Sequence, residues 1–262
     1  MCRHSWHMSW LRRRIAEVQV AFILLTRLPA GRLEGNAPEL AAAKWAFPLA
    51  GLVVGGSLAG VYIAMNSLGL PAELAAILAL GAGVMMTGGL HEDGLADCAD
   101  GFGGGQTKDQ KLAIMKDSRV GSYGVLALIL VIAARIMALA ALPATAQSLI
   151  LLISLAMVSR MMMVVYLNWL PSARAEGLGH EAGKDGGLSV FVAAGLCVPA
   201  MLYSGDFILF SLAALCGAAV IVGWIANRQI GGQTGDVCGT VQILSETAGW
   251  LCLTALFMST SI

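Results

Sequence analysis

The apolar run "LAAILALGAGVMM" (Leu74–Met86) leads straight into "TGGLHEDGLADCADGFGGG" (Thr87–Gly105). Within the eighteen residues Gly88–Gly105 stand four carboxylates (Glu92, Asp93, Asp97, Asp100), one histidine and seven glycines. The first half reads as a helix bound for a hydrophobic environment, and the second as its exit into water. The chain around it agrees: of 262 residues, 58% are hydrophobic and 12% charged, with a mean hydropathy of +0.78. Soluble domains carry about 25% charged residues, so the composition alone points to an integral membrane protein.

A spanning helix needs about 20 mostly apolar residues. Seven stretches qualify: 44–66, 71–89, 122–142, 146–169, 187–204, 207–226 and 238–258. The reading is therefore all-α, a polytopic helical bundle of about seven transmembrane helices. Residues 1–262 form a single membrane domain, with a cytoplasmic N-terminal segment at 1–43 and the bundle at 44–258. Strands of a membrane β-barrel would be shorter and alternating, and no such pattern is present. The N-terminal "MCRHSWHMSWLRRR" lacks a convincing cleavage site and is followed by a short apolar core that Arg27 interrupts. An amphipathic helix lying at the membrane surface fits it better than a signal peptide.

The connections alternate. Those near 67–70, 143–145 and 205–206, the last being Gly205 and Asp206, are short and nearly uncharged. Segments 1–43, 90–121, 170–186 and 227–237 hold most of the charge, including Arg12, Arg13, Arg14, Lys108, Lys111, Lys116, Arg119, Arg174, Lys184 and Arg228. Excess lysine and arginine marks the cytoplasmic side, which puts the N-terminus and the polar loops there. Six cysteines, Cys2 among them, are scattered without a C-x-x-C pair, which speaks against a zinc site or a disulfide framework.

Asp93, Asp97 and Asp100 fall at i, i+4 and i+7, one face of a helix. Three like charges on one face repel unless a cation sits among them, and magnesium takes oxygen ligands that it shares with substrate phosphates. Gly94 and Gly101 read as room for a phosphate, and His91 as a general base, metal ligand or phosphate donor. In the same loop, Lys116, Arg119, Ser118 and Ser122 offer donors to an anion, and Asp117 could bind metal or orient Arg119. "PSARAEGLGHEAGKDGG" (Pro171–Gly187) adds Arg174 and Lys184. "IGGQTGDVCGTVQILSE" (Ile230–Glu246) brings Gly231, Gly232, Thr234 and Asp236, a glycine-rich turn feeding a helix, which can present backbone N–H groups to phosphate. Arg135, Arg160 and Glu246 lie inside spans, where charge is costly and functional by default. Arg160 and Glu246 sit at similar depth and are expected to face each other or the substrate; Arg135 reads as structural. Gly51 and Gly55 form a G-x-x-x-G for close helix packing.

Taken together, "TGGLHEDGLADCADG", "IMKDSRVGSYG", "SARAEGLG" and "IGGQTGDVCG", with "LLTRLP" and "FPLAGLVVG" before them, resemble the signature segments of the cobalamin synthase (adenosylcobinamide-GDP ribazoletransferase) family. The resemblance runs from about Leu25 to Glu246, in the family's order. It implies a bacterial inner-membrane enzyme that joins adenosylcobinamide-GDP to α-ribazole or its 5′-phosphate and releases GMP. It implies Mg²⁺ as cofactor, held by Asp93, Asp97 and Asp100. Lys116 and Arg119 would neutralise phosphate oxygens and His91 or a carboxylate would take the hydroxyl proton. Asp117, Ser118, Arg160, Arg174, Gly231, Gly232, Thr234, Asp236 and Glu246 would line the substrate. The lipid bilayer is its surroundings, a homo-oligomer is compatible because a corrinoid could sit between two chains, and no nucleic-acid partner is expected. Two rivals share fragments of the pattern. Asp97-Cys98-Ala99-Asp100-Gly101 fits the D-x-x-D-G of CDP-alcohol phosphotransferases, whose remaining motif is missing, and charges within spans would suit a transporter, whose sites lie nearer mid-membrane.

Overall fold

The computed structural model describes residues 3–33, 36–183, 187–205 and 207–260. Cys2, Lys184 and Asp206, which entered the sequence reading, lie outside them. Helix α1 (Arg3–Leu25) precedes α2 (Leu40–Ala43), a 3-10 turn (Lys44–Ala46) and α3 (Phe47–Ser67), which run on from one another. Then follow α4 (Ala72–Thr87), α5 (Leu90–Gly104), α6 (Lys108–Ile114), α7 (Ser122–Ala140), α8 (Ala146–Trp169), α9 (Leu178–Glu181), α10 (Leu188–Tyr203), α11 (Phe207–Ile230) and α12 (Gly235–Thr260). There is no strand among the described residues, only one parallel bridge between Ser172 and Gln233.

All seven apolar stretches are helices. Five of the runs, 40–67, 122–140, 146–169, 207–230 and 235–259, are long and apolar enough to span a membrane. A sixth is reached only by joining α4 and α5, which are bent by 87°. The expectation of about seven spans is thus corrected to five or six. The remaining helix, α10, has 16 residues, and at about 1.5 Å per residue it falls short of a bilayer core.

Helix α8 is the central element, the most buried of the long spans. It packs most extensively on α3, while α12 packs on α11, α8 and α5. The α3–α8 contact is close because Gly51 and Gly55 present no side chain. A Cβ on Gly51 would stand 2.4 Å from the Ala156 carbonyl oxygen, and one on Gly55 2.7 Å from the Ala156 Cβ. Small-residue packing of this kind replaces the hydrophobic driving force that a bilayer lacks. Leu151, Leu152 and Leu155 of α8, Tyr62 of α3 and Trp250 of α12 fill the centre. The outer faces of α7 and α11 expose Leu126, Ile129, Leu130, Leu209 and Phe210, as lipid-facing helices should.

Helix α1 is half-buried. Trp10, Leu11, Ile15 and Ile23 face out, and Glu17, Ala21 and Leu25 are fully buried. Glu17 Oε2 accepts from Arg14 (2.7 Å) and the Trp45 indole N–H (2.7 Å), and Arg13 forms an ion pair with Oε1 at 3.3 Å.

The bend that decides the site lies at Gly88 and Gly89, with φ of 68° and 72°. Two successive left-handed residues end α4 and start α5, a conformation costing other residues roughly 1–2 kcal/mol each.

Candidate functional site

After the bend, α5 does not continue along α4. Its first half crosses the start of α12 and its second half meets the start of α7. Gly94 lies on the backbone of Asp236, where a Cβ would come within 2.8 Å of the Asp236 carbonyl oxygen. The Thr240 hydroxyl donates to the Gly94 carbonyl (2.9 Å). At the other end, the Asp100 carboxylate accepts the backbone N–H groups of Gly121 (2.7 Å) and Gly124 (2.9 Å), the open donors at the N-terminus of α7. Helix α5 therefore lies across the N-terminal ends of two spans and is not part of the five single-helix spans.

This corrects two readings. The glycines of the acidic stretch are not room for a phosphate: Gly94 is filled by α12, and Gly101 by the Met115 side chain and the Lys111 carbonyl. Asp100, 8% exposed and committed to α7 through both oxygens, ties two helices together and does not share the open face with the other aspartates. In its place comes an acid from α12. Asp236 and Asp93 both act on Asp97, whose carboxyl is pushed up to about 7 by burial first and then by these neighbours, against the pull of Arg174. Arg174 reaches Asp236 at 3.3 Å and also donates to the Leu112 carbonyl (3.4 Å). The acids that gather here are thus Asp93, which is exposed, and Asp97 and Asp236, which are half-buried.

Beneath them sits a second charged group. Glu246 lies 3.7 Å from Arg135 and 3.9 Å from Arg160. The pairing expected of Arg160 and Glu246 is present, and Arg135 joins it, stacked 4.1 Å over the Trp250 ring. Gln242 donates to Glu246 and to the Ser159 hydroxyl. All three ions are at most 7% exposed. His91, 2% exposed, stands between this group and the acids, and neither of its ring nitrogens has a hydrogen-bond partner among the described residues. Burial first, then Arg160 and Arg135, hold its imidazole well below the ordinary value.

The remaining predicted residues divide. Lys116, Ser118 and Arg119 are exposed on the segment between α6 and α7. Arg119 is held by Asp117 (2.6 Å), whose carboxyl it lowers to about 2; no hydrogen bond or ion pair joins these four residues to the acids. The glycine turn before α12 is occupied by protein. The Gln233 N–H donates to the Pro171 carbonyl (2.8 Å), the Ala173 N–H donates to Gln233 (2.8 Å), and the Gly231 N–H donates to Asn227 (3.0 Å). Gly232, at φ 159°, lies where a Cβ would run into the Pro171 carbonyl. Thr234 caps α12 by accepting the Val237 N–H (3.2 Å). The turn therefore clasps the loop after α8 and presents Asp236; it is not a phosphate cradle.

Two cavities flank Asp93. One, of about 460 Å³, is bordered by Arg27, Gly88, Gly89, Glu92, Asp93 and Val120. The other, of about 110 Å³, lies on the far side of α5, between His91, Asp93 and Asp236 and an apolar wall. An anionic group in the first and a second reactant in the second would both reach the same carboxylate.

The profile of the cobalamin-5-phosphate synthase family matches residues 17–254. The chain belongs to that family. Adenosylcobinamide-GDP ribazoletransferase of Bradyrhizobium diazoefficiens is 42% identical over 239 residues, covering 90% of this chain and 92% of that protein. The enzyme of the same name from Azorhizobium caulinodans is 40% identical over 250 residues (90% and 94%), and that from Xanthobacter autotrophicus 43% over 244 residues (87% and 92%). No solved structure matches. Against the family's signature segments, the sequence reading overlooked three residues. Arg27, in "LLTRLP", was read only as an interruption. Its guanidinium lies over Gly88 at the edge of the larger cavity, without a hydrogen bond or ion pair among the described residues. Its signal was a lone cation directly after an apolar run. Lys44, fully buried, donates to Asn168 (3.2 Å) and to the carbonyls of Ala182 (3.1 Å) and Gly183 (2.6 Å). Gln233 donates to the Gly179 carbonyl (2.9 Å). Both tie down the segment that carries Arg174; Lys44 has no local sequence signature, whereas Gln233 stands within "IGGQTGDVCG".

Proposed function

We propose that this protein joins adenosylcobinamide-GDP to α-ribazole or its 5′-phosphate, releasing GMP, in the last steps of cobalamin synthesis. The observation that carries the reading is the meeting of Asp93, Asp97 and Asp236 at one mouth between two cavities, in a chain of this family. The ribazole 3′-hydroxyl attacks the phosphorus on the cobinamide side of the pyrophosphate. One P–O bond forms, the P–O bond to GMP breaks, and the hydroxyl proton passes to a carboxylate of the mouth. Asp93, which borders both cavities, is the one in reach of either reactant. Such a displacement needs positioning and charge neutralisation more than covalent help. Arg27 binds the pyrophosphate in the larger cavity, with Lys116 and Arg119 drawing the anion in from the rim. Arg174 holds Asp236 in place.

The donor set fits magnesium by chemistry, being all oxygen and short of positive partners. Among the described residues no three His, Cys, Asp or Glu side chains form a ready metal cage. That suits an ion that is bound by one or two carboxylates and shares its remaining positions with water and substrate phosphate. One or two of Asp93, Asp97 and Asp236 would hold it, with Asp100 in its capping role. When bound, magnesium supplies positive charge at the phosphate oxygens as GMP leaves. Arginines and lysines concentrate in the segments around this mouth, so it faces the cytoplasm from a bacterial inner membrane.

The test is the purified protein with adenosylcobinamide-GDP and α-ribazole, with and without Mg²⁺, read by GMP release. Magnesium-dependent GMP formation is expected. Turnover of a CDP-activated donor to CMP, with none of the GDP donor, would overturn the reading.

A further inference from the structure

The smaller cavity beside Asp93 has a wall unlike the rest of the mouth. Leu25, Phe47, Leu90, Met163, Leu167 and Cys238 line it, from α1, α3, α5, α8 and α12. All but Leu90 are buried. Asp93 and Gly235 are its exposed members and Asp236 is half-buried between them, so the acids stand at an open end, and His91, 2% exposed, is the polar group of its interior. An apolar interior of this kind excludes charge. Its size also narrows the guest: a lined apolar cavity of about 150 Å³ takes a benzene-sized ring, and one water occupies about 30 Å³. At about 110 Å³ the pocket is smaller than that, with room for the leading edge of a flat ring and far too little for a corrinoid.

We infer that this pocket receives the aromatic base of the incoming nucleoside, its apolar edge first, with the ribose left at the carboxylates. The inference rests on the proposed reaction and adds to it where the acceptor binds. Two other guests fit less well. Guanine would turn its ring N–H and amino group to Asp93 and Asp236, which drives its ribose and remaining ring nitrogens toward the apolar wall, and each unanswered buried polar group costs about 1–3 kcal/mol. An acyl chain would leave His91 facing hydrocarbon with both nitrogens unpartnered, and would lie against two carboxylates. A benzimidazole-type base has an apolar edge for the leucines and a ring nitrogen for His91. The donor nucleotide is then left to the polar cavity on the other side of Asp93.

The experiment uses the full chain in lipid nanodiscs. Met163→Ala and Leu167→Ala each enlarge the pocket from α8. For each, kcat/KM is compared for α-ribazole and for a riboside carrying a wider tricyclic base, at saturating adenosylcobinamide-GDP. The expected result is a shift in that ratio of about tenfold or more toward the wider base, since one methylene in an apolar pocket is worth about 10–200-fold. The KM for the GDP donor should stay at its wild-type value. The two variants are independent, so misfolding of one leaves the other to decide. An unchanged ratio in a folded variant, or a change in donor KM in its place, overturns the pocket assignment. Absence of GMP release from the wild-type protein overturns the underlying reaction instead, and a titration of the benzimidazole fluorescence of α-ribazole with wild-type protein then tests the pocket by itself: saturable quenching supports it, and none refutes it.

Discussion

The protein holds two groups of charge only a few helical turns apart, and they are built in opposite ways. At the mouth, Asp93, Asp97 and Asp236 crowd together with one arginine, Arg174, against three negative charges. Below, Arg135, Arg160 and Glu246 pair with each other and are at most 7% exposed. Unpaired charge that water can reach is an invitation to a ligand, whereas paired charge sealed from water is architecture, since removing one partner strands the others. The difference teaches which acids to assign to chemistry: exposure and lack of a partner, rather than acidity, separate Asp97 from Glu246.

That contrast can be broken by mutation, most sharply at its centre. Asp97→Asn should lower kcat for GMP release by about 10²–10³-fold, the usual loss for one electrostatic contributor. Its Tm in detergent should hold or rise, because a repulsive charge is removed. A large fall in Tm would move Asp97 to the architectural group. Gly94→Ala should cost about 10² in kcat, the order expected for displacing a catalytic group by about 1 Å, as the new Cβ meets the Asp236 backbone and pushes α5 from α12. Circular dichroism should show the helix content unchanged.

Glu246→Ala should behave in the reverse manner. Stranding two buried arginines costs about 3–5 kcal/mol of stability, visible as a lowered Tm, while any molecules that remain folded turn over normally. A fully stable, inactive Glu246→Ala protein would bring the lower group into the chemistry. The smallest effect is expected from Arg119→Ala. With its guanidinium exposed and held by Asp117, it should raise the KM for the GDP donor by a few-fold at most, as exposed pairs do, with Tm unchanged.

Much of this was legible in the amino-acid order. Helices were readable because apolar runs of spanning length have few alternatives in a bilayer, and the G-x-x-x-G of Gly51 and Gly55 pointed to a close contact that α8 indeed makes. The number of spans was overestimated because α4 and α10, read as spans from the apolar stretches 71–89 and 187–204, are each only 16 residues long. The i, i+4, i+7 spacing put Asp93, Asp97 and Asp100 on one face correctly but could not say what that face meets along its length. At Asp100 it meets the open N–H groups of α7, which a carboxylate satisfies at once. Lys44 was invisible because its partners lie more than a hundred residues away.

The sequence by itself determined a helical membrane bundle, an acid-rich helix at the polar end of an apolar run, and membership of one enzyme family. Those follow from composition, period and motif, which are properties of neighbours along the chain. Only the tertiary structure showed that Asp236 stands beside Asp97 while Asp100 is tied to the start of α7. It alone showed that the glycines admit helices rather than phosphates, and that one carboxylate, Asp93, is shared by a polar cavity and an apolar one. The reason is that a polar group's role is set by which unpaired donors and charges stand within hydrogen-bonding reach. Across crossing helices those are supplied by residues the local sequence does not contain.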